Sequence, residues 1–237
     1  MSTNKPQRRR HVHGRTKGGK LSPRKQKLCD ELLPSLRIAL PEVAMPAPQK
    51  ALEPRKLFAS RPAKIWLEIG FGGGEHLAWQ AAQNPDIGLI GCEPFVNGVA
   101  KLLVAIDEQN LENIRVHDDD AVEILEALAP GSLDRLFILH PDPWPKKRHH
   151  KRRFINNRNL DLLAKALKPG GELRFASDIP HYVAWTLKHM AQRTDFIWTA
   201  RQPKDWRTRP DDWPATRYGQ KALREGRPPA HLRFLKK

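Results

Sequence analysis

The sequence predicts an α/β protein: a doubly wound, mostly parallel sheet of about seven strands with helices on both faces. Three observations predict it. Short apolar runs alternate with segments of helical periodicity, the first run passes through glycines straight into a helix, and the second run ends in an acidic residue.

The first unit is Trp66-Leu67-Glu68-Ile69-Gly70-Phe71-Gly72-Gly73-Gly74-Glu75. Ile65, Leu67 and Ile69 alternate as a short buried strand does. Gly72, Gly73 and Gly74 let the backbone turn sharply and approach a ligand without side-chain collisions. Leu77, Ala78, Ala81 and Ala82 then recur at helical spacing, so a helix begins near Gly74. Such a strand–turn–helix unit is the Rossmann-like device for holding nucleotides. The dinucleotide fingerprint Gly-x-Gly-x-x-Gly nevertheless fails: counted from Gly70 and Gly72, its third glycine falls on Glu75. Glu68 adds a carboxylate just before the loop. Acids here disfavour a pyrophosphate and favour a cationic or hydrogen-bond-donating ligand, such as the ammonium and sulfonium end of S-adenosylmethionine. The plain alternative is a tight turn that holds nothing.

The chain divides into a basic arm (1–27), a helical and Pro-rich lead-in (28–62) and one domain (63–237). The arm carries Lys5, Arg8, Arg9, Arg10, Arg15, Lys17, Lys20, Arg24, Lys25 and Lys27 with no acid, so it is expected to be disordered until it meets phosphate, or to be a solubilising tail. In the lead-in, Leu28, Leu32, Leu33 and Leu36 mark a short helix broken by Pro34, and residues 41–62 read as a linker. Residues 87–93 form the second strand, ending in Glu93, where such folds accept hydrogen bonds from ribose hydroxyls. A helix over 96–106 and a strand over 114–116 follow. His117-Asp118-Asp119-Asp120 opens the next helix, whose positive end favours acids; Asp119 or Asp120 either caps it or faces an adenine. Strands are expected at 133–139, 172–176, 196–199 and 231–235, with helices at 154–167 and 182–193 and a Lys168-Pro169-Gly170-Gly171 turn between helix and strand. No internal repeat is apparent.

The formal charge of +16 over 237 residues calls for a polyanionic partner, and nucleic acid fits better than a membrane because no apolar run approaches spanning length. Cys29 and Cys92 make neither a disulfide framework nor a metal-ligand spacing, which suits a reducing cytoplasm and predicts no metal. No signal peptide is visible, and no obligate protein partner is evident.

The fourth strand runs into the most unusual segment, His140-Pro141-Asp142-Pro143-Trp144-Pro145, followed by Lys146, Lys147, Arg148, His149, His150, Lys151, Arg152 and Arg153. Ligands of open α/β sheets sit outside the carboxyl ends of the strands. Three prolines stiffen that end and hold Asp142 and Trp144 at fixed angles. The alternative is a solvated loop with a capping Asp.

Leu67-Glu68-Ile69-Gly70-Phe71-Gly72, Gly91-Cys92-Glu93, Asp120-Ala121-Val122-Glu123, Pro141-Asp142-Pro143-Trp144 with its basic run, Ser177-Asp178 and Thr216-Arg217-Tyr218 together resemble the bacterial tRNA (guanine-N7)-methyltransferases, over roughly residues 60 to 236. The resemblance implies the class I methyltransferase fold and S-adenosylmethionine as cofactor, leaving as S-adenosylhomocysteine, with contacts at Glu68, Gly70, Gly72, Glu93, Asp120 and Asp142. It implies Asp142 as the catalytic residue, RNA contact along Arg148 to Arg153, and substrate contact at Lys146, Asp178 and the segment Thr216, Arg217, Tyr218, Gly219. The substrate it implies is guanosine 46 in the tRNA variable loop. One departure stands out: the family usually has Glu where this chain has Gly219, so Gln220, Glu225 or a water substitutes, or the contact is dispensable.

The chemistry suits these residues. Guanine N7 carries a free lone pair, so attack on a sulfonium methyl needs positioning more than a base. Asp142 or Asp178 could accept from guanine N1–H and N2–H and stabilise the cation that methylation creates. Trp144 or Tyr218 offers a stacking face. Two other readings compete: an exocyclic-amine methyltransferase, because Asp142-Pro143-Trp144 is loosely similar to an Asp-Pro-Pro-aromatic loop, and a non-enzymatic RNA-binding protein, against which intact Glu68 and Glu93 argue.

Overall fold

The computed structural model describes residues 14–40 and 51–237. Lys5, Arg8, Arg9 and Arg10 of the arm and residues 41–50 of the linker lie outside the described residues. Strands β1 (Lys64–Ile69), β2 (Ile87–Cys92), β3 (Ile114–His117), β4 (Leu133–Leu139), β5 (Leu167–Ser177), β6 (Phe196–Trp198) and β7 (Ala230–Lys236) make a seven-stranded sheet in the order β3-β2-β1-β4-β5-β7-β6. Neighbours from β3 through β5 pair parallel, and β7 lies antiparallel to both β5 and β6. This is the doubly wound α/β architecture the alternating pattern predicts.

Why the central strand reads as nearly continuous apolar sequence is plain from its two faces. Ile65, Leu67 and Ile69 of β1 point into one core with Leu125, Leu160 and Leu163, from helices α5 (Ala121–Ala127) and α6 (Asn157–Ala166). Trp66, between them, points into the other core with Leu77 and Leu102, from α3 (Glu75–Gln83) and α4 (Val96–Gln109). A parallel strand covered on both faces loses the alternation of a half-exposed one. The lead-in belongs to the second core: Leu33 and Leu36 of α2 (Leu33–Leu36) join it, and α1 (Pro23–Glu31) is tied to α4 by Arg24 with Asp107 and Glu108 at 3.0 and 2.8 Å. Pro34 sits in the first turn of α2, where its missing N–H is harmless, and so separates the two helices as expected.

The start of β5 differs from the sequence expectation. The turn at 168–171 does not precede β5 but lies inside it: Leu133 pairs with Leu167, then Arg135 pairs with Glu172, so the extra residues form an irregularity in the strand with Gly170 at φ 76.

The order of the sheet fixes where a ligand can sit. The order in which successive strands are laid down reverses between β1 and β4, which are parallel neighbours, and the crevice outside their carboxyl ends is the switch point of a doubly wound sheet. The glycine loop leaves β1 there and His140 to Pro145 leave β4 there.

Candidate active site

At that switch point lies a cavity of about 510 Å³. Gly70 and Gly72 hold φ of 71 and 58, left-handed values that glycine adopts freely, and nothing stands within 4 Å of where a Gly70 Cβ would project. The loop therefore presents backbone to open space. Behind it, α4 approaches so closely that a Cβ on Gly98 would sit 2.2 Å from the Gly72 carbonyl oxygen; the sequence reading missed Gly98 because its requirement arises from a contact distant along the chain.

Three acids predicted for the cofactor stand around this loop. Glu68 is 2% exposed, and its Oε2 lies 2.7 Å from Nδ1 of His76 in the first turn of α3. Gln80 Nε2 lies 3.1 Å from His76 Nε2 and also donates to the Asp212 carbonyl at 2.7 Å. Because the Gln80 amide nitrogen can only donate, His76 Nε2 accepts and Nδ1 carries the hydrogen directed at Glu68. His76 was not singled out from sequence; its helical position one turn from the glycines was the signal available. Glu93 accepts from Gly72 N–H at 2.7 Å through Oε2 and from Phe95 N–H at 3.0 Å through Oε1, while burial pushes its carboxyl above the ordinary range. It pins the glycine loop, and each oxygen keeps a lone pair for a further donor. Asp120 caps α5 by accepting from Val122 N–H at 3.0 Å and lines the cavity as well, so the capping and ligand-facing alternatives coexist. Asp119 lines it too and accepts from Asp120 N–H at 2.8 Å.

Asp142 lies across the cavity from the loop, and its surroundings raise its carboxyl by desolvation although the residue keeps surface open to the cavity. The arm arrives beside it: an ideal Cβ on Gly14 lies 3.4 Å from Asp142 Oδ2, and Arg15 joins the lining. Thr16 O accepts from Val96 N–H at 3.0 Å, and Asn97 both accepts from Gly18 N–H at 2.7 Å and donates to Gly19 O at 2.8 Å. Residues 14–20, expected to be disordered, are thus laid along the cavity rim by one asparagine that matches two backbone groups.

The basic run folds into a 3₁₀ turn, Lys147–Arg152, and its members part company. Lys146 and Arg148 are exposed on the outer surface, and Lys151 and Arg152 stand at the cavity, Arg152 with its guanidinium 5.0 Å from the Trp144 ring. His149 meets the Trp144 ring edge-on at 5.9 Å. Arg153, expected at the RNA, turns inward. It is 1% exposed, donates to Pro143 O at 2.8 Å, reaches His181 Nδ1 at 3.0 Å and stacks over Tyr182 and Trp185 at 4.9 and 5.0 Å. A guanidinium so enclosed is an anchor for the loop. His150, half-buried, packs 5.0 Å from the His181 ring and 5.4 Å from Trp185.

The carboxyl-terminal segment supplies the remaining wall. Thr216 caps the helix Arg217–Arg224, accepting from Gly219 N–H at 3.1 Å, and Tyr218 is 60% exposed with its ring 3.5 Å from an ideal Cβ on Gly72. Arg217 points to solvent. Asp178 lines neither cavity of this region; Arg227 Nε donates to it at 2.9 Å and His140 Nδ1 stands 3.5 Å away. Gly219 faces a second cavity of about 360 Å³, walled largely by Trp213, Pro214, Pro229 and Leu223, which shares His76, Leu139, His140 and Thr216 with the first. Among the described residues no His, Cys, Asp and Glu cluster has the arrangement of a metal site, and no helix is long and apolar enough to cross a membrane.

Residues 62–232 match the family described as "Putative methyltransferase". The chain is 49% identical to the tRNA (guanine-N(7)-)-methyltransferase of Rhodospirillum rubrum over 98% of its length and 90% of the relative. It is 50% identical to that of Agrobacterium fabrum, covering 94% of each. Among solved structures it resembles TrmN from Thermus thermophilus, with a TM-score of 0.52, 15% identity, and coverage of 74% of this chain and 45% of that one. An rRNA methylase from Streptococcus thermophilus shares the fold at a TM-score of 0.50 and 13% identity, over 73% of this chain and 86% of the other.

Proposed function

The chain belongs to the tRNA (guanine-N7)-methyltransferase family, and from that membership we propose that it transfers a methyl group from S-adenosylmethionine to N7 of guanosine 46 in the variable loop of tRNA, in the cytoplasm. The observation that carries the reading is the cavity at the β1 and β4 ends, where an open glycine loop is bracketed by Glu68, Glu93 and Asp120 on one side and Asp142 on the other. A set of acids around exposed backbone suits a ligand rich in donors and positive charge, and open space above Gly70 leaves room for it. S-adenosylmethionine, when bound, supplies the electrophilic methyl on a sulfonium and departs as S-adenosylhomocysteine.

The residues then have separable tasks. Glu93 and Asp120 accept from hydroxyl and amino donors of the cofactor, and Glu68, oriented by His76, faces its cationic end. Asp142, between cofactor and solvent, stabilises the positive charge that develops on the guanine as N7 is alkylated. No proton leaves N7, so no residue need act as base there. Trp144 and Tyr218 offer faces on which an extruded base stacks, worth roughly 1–3 kcal/mol, against the few kcal/mol of unstacking. Lys146, Arg148, Lys151 and Arg152 meet phosphates. The test is mass spectrometry of nucleosides from tRNA incubated with the protein and S-adenosylmethionine. It should yield 7-methylguanosine mapping to position 46; methylation at an exocyclic amine, or none, would overturn the reading.

A further inference from the structure

His140 occupies the seam of the region. It directly follows β4, two residues before Asp142, and contributes to the wall shared by both cavities. Its backbone is held at φ 50, a strained value for a non-glycine residue, with its N–H donating to Ala176 O at 2.8 Å. Its Nδ1 is enclosed, 3.5 Å from Asp178 Oδ1, and Asp178 is itself fixed by Arg227. The opposite ring nitrogen looks toward Gly219: an ideal Cβ there would stand 3.6 Å from His140 Nε2 and 3.3 Å from Thr216 Oγ1. The bare glycine leaves space in front of the imidazole.

We propose that His140 reads the acceptor base: with Nδ1–H turned to Asp178, its Nε2 accepts a hydrogen bond from the 2-amino group of the target guanine as that edge enters the second cavity past Gly219. This rests on the guanosine assignment above. The chemistry follows from the inventory of the imidazole, since a ring whose Nδ1 donates offers a lone pair at Nε2. Burial also pulls the His140 pKa below its ordinary value, which keeps that lone pair free near neutral pH. Leu139, Ala176, Trp213 and Pro229 give the cavity apolar walls, with His231, Arg207 and Arg209 also lining it, and an acceptor beside such walls is poorly replaced by water. Of the edge opposite N7, the 2-amino group protrudes furthest, and both adenine and hypoxanthine lack it. His140 thereby does the work that a carboxylate at position 219 would otherwise do.

The test pairs protein and RNA substitutions. Wild type, His140→Phe and His140→Gln are given tRNA transcripts with guanosine or inosine at the methylated position, and single-turnover rates are measured beside S-adenosylmethionine affinity. His140→Phe keeps the ring volume and removes the acceptor, so methylation of the guanosine transcript should fall about 10- to 100-fold, the loss expected when one buried donor goes unpaired. Its rate on the inosine transcript should stay near that of wild type, so the guanosine-to-inosine ratio collapses toward one. His140→Gln, whose side-chain oxygen reaches the Nε2 position, should keep most of the ratio. A ratio unchanged in His140→Phe, or lost equally in His140→Gln, would overturn the proposal. Should His140→Phe fail to bind cofactor, Gly219→Ala decides: alanine suits a helix better than glycine, so a variant that melts no lower but methylates the guanosine transcript at least several-fold more slowly supports the proposal, and a wild-type rate and ratio overturn it. Failure of wild type to form 7-methylguanosine at all would instead fault the guanosine assignment.

Discussion

The two banks of the cavity are built on different principles. On the glycine-loop bank, every predicted acid has a hydrogen-bonding partner inside the protein: Glu68 with His76, Glu93 with two backbone N–H groups, Asp120 with the start of α5. On the other bank, Asp142 stands open, Tyr218 is 60% exposed, and His140 and Trp144 hold φ of 50 and 42. The difference teaches where precision is stored. A small cofactor is met by a preorganised cradle, whereas the side facing a macromolecule is a stiff, strained loop carrying exposed cations, held to the domain by one buried arginine. Preorganisation on one bank and anchoring on the other predict distinct failures when each is damaged.

The largest effect should come from that anchor. Arg153→Ala removes two hydrogen bonds and two aromatic stacks and leaves the Pro143 carbonyl and His181 without their partner, so it should destabilise the fold by roughly 3 kcal/mol. Arg148→Ala, five residues away in the same basic run but exposed, should change stability by less than about 0.5 kcal/mol. Thermal melts of the two variants distinguish them; equal midpoints would return Arg153 to the phosphate-binding set.

Next in size is Asp142→Asn, which keeps shape and removes charge at the meeting of the banks. Its contribution is made mainly as charge develops, so single-turnover methylation should fall roughly 10²-fold or more while tRNA affinity is nearly unchanged. Because N7 needs no deprotonation, raising the pH should not restore the rate. A near wild-type rate would make Asp142 a structural cap.

Glu93→Ala tests the cradle. Losing a carboxylate that accepts from Gly72 and Phe95 frees the loop and removes a ligand acceptor, so S-adenosylmethionine should bind about 10- to 100-fold more weakly, with RNA affinity intact. Calorimetry decides; if both Glu93→Ala and Glu68→Ala bind the cofactor as wild type does, the cofactor assignment falls.

The same contrast explains what could be read from sequence. The cradle was legible because its parts are local: a strand, three glycines and an acid at a strand end declare themselves within a few residues, and the doubly wound sheet follows from repeating such units. The opposite bank was legible only as a motif. That Arg153 turns inward depends on His181, Tyr182 and Trp185, a helix later in the chain, and no pattern within residues 140–153 distinguishes it from Arg152. His76 and Gly98 acquire meaning only when α3 and α4 are packed on the loop. The second cavity is assembled from β4, β5, the 207–223 segment and β7, so no single stretch could announce it. Asn97, which pairs with the arm from 78 or 79 residues away, is the same case.

The smallest effect concerns the cations that lie nearest solvent. If exposed Lys and Arg residues neutralise phosphates, the logarithm of tRNA affinity falls linearly with the logarithm of salt concentration, each contact adding roughly 0.7–0.9 to the slope. Arg148→Ala should therefore reduce the slope by about that amount and leave cofactor affinity alone. Deleting residues 1–20 removes Lys5, Arg8, Arg9, Arg10, Arg15, Lys17 and Lys20, and should flatten the slope by more than one contact. It also strips Thr16 and Gly18 from the cavity rim, so a separate deletion of residues 1–13 is needed to divide charge from rim contact. The shorter deletion should flatten the slope without changing S-adenosylmethionine affinity, because the rim contacts of Thr16, Gly18 and Gly19 remain. A slope unaltered by either deletion would make the arm a solubilising tail and leave the exposed residues of the 146–152 turn as the RNA-facing cations on this bank.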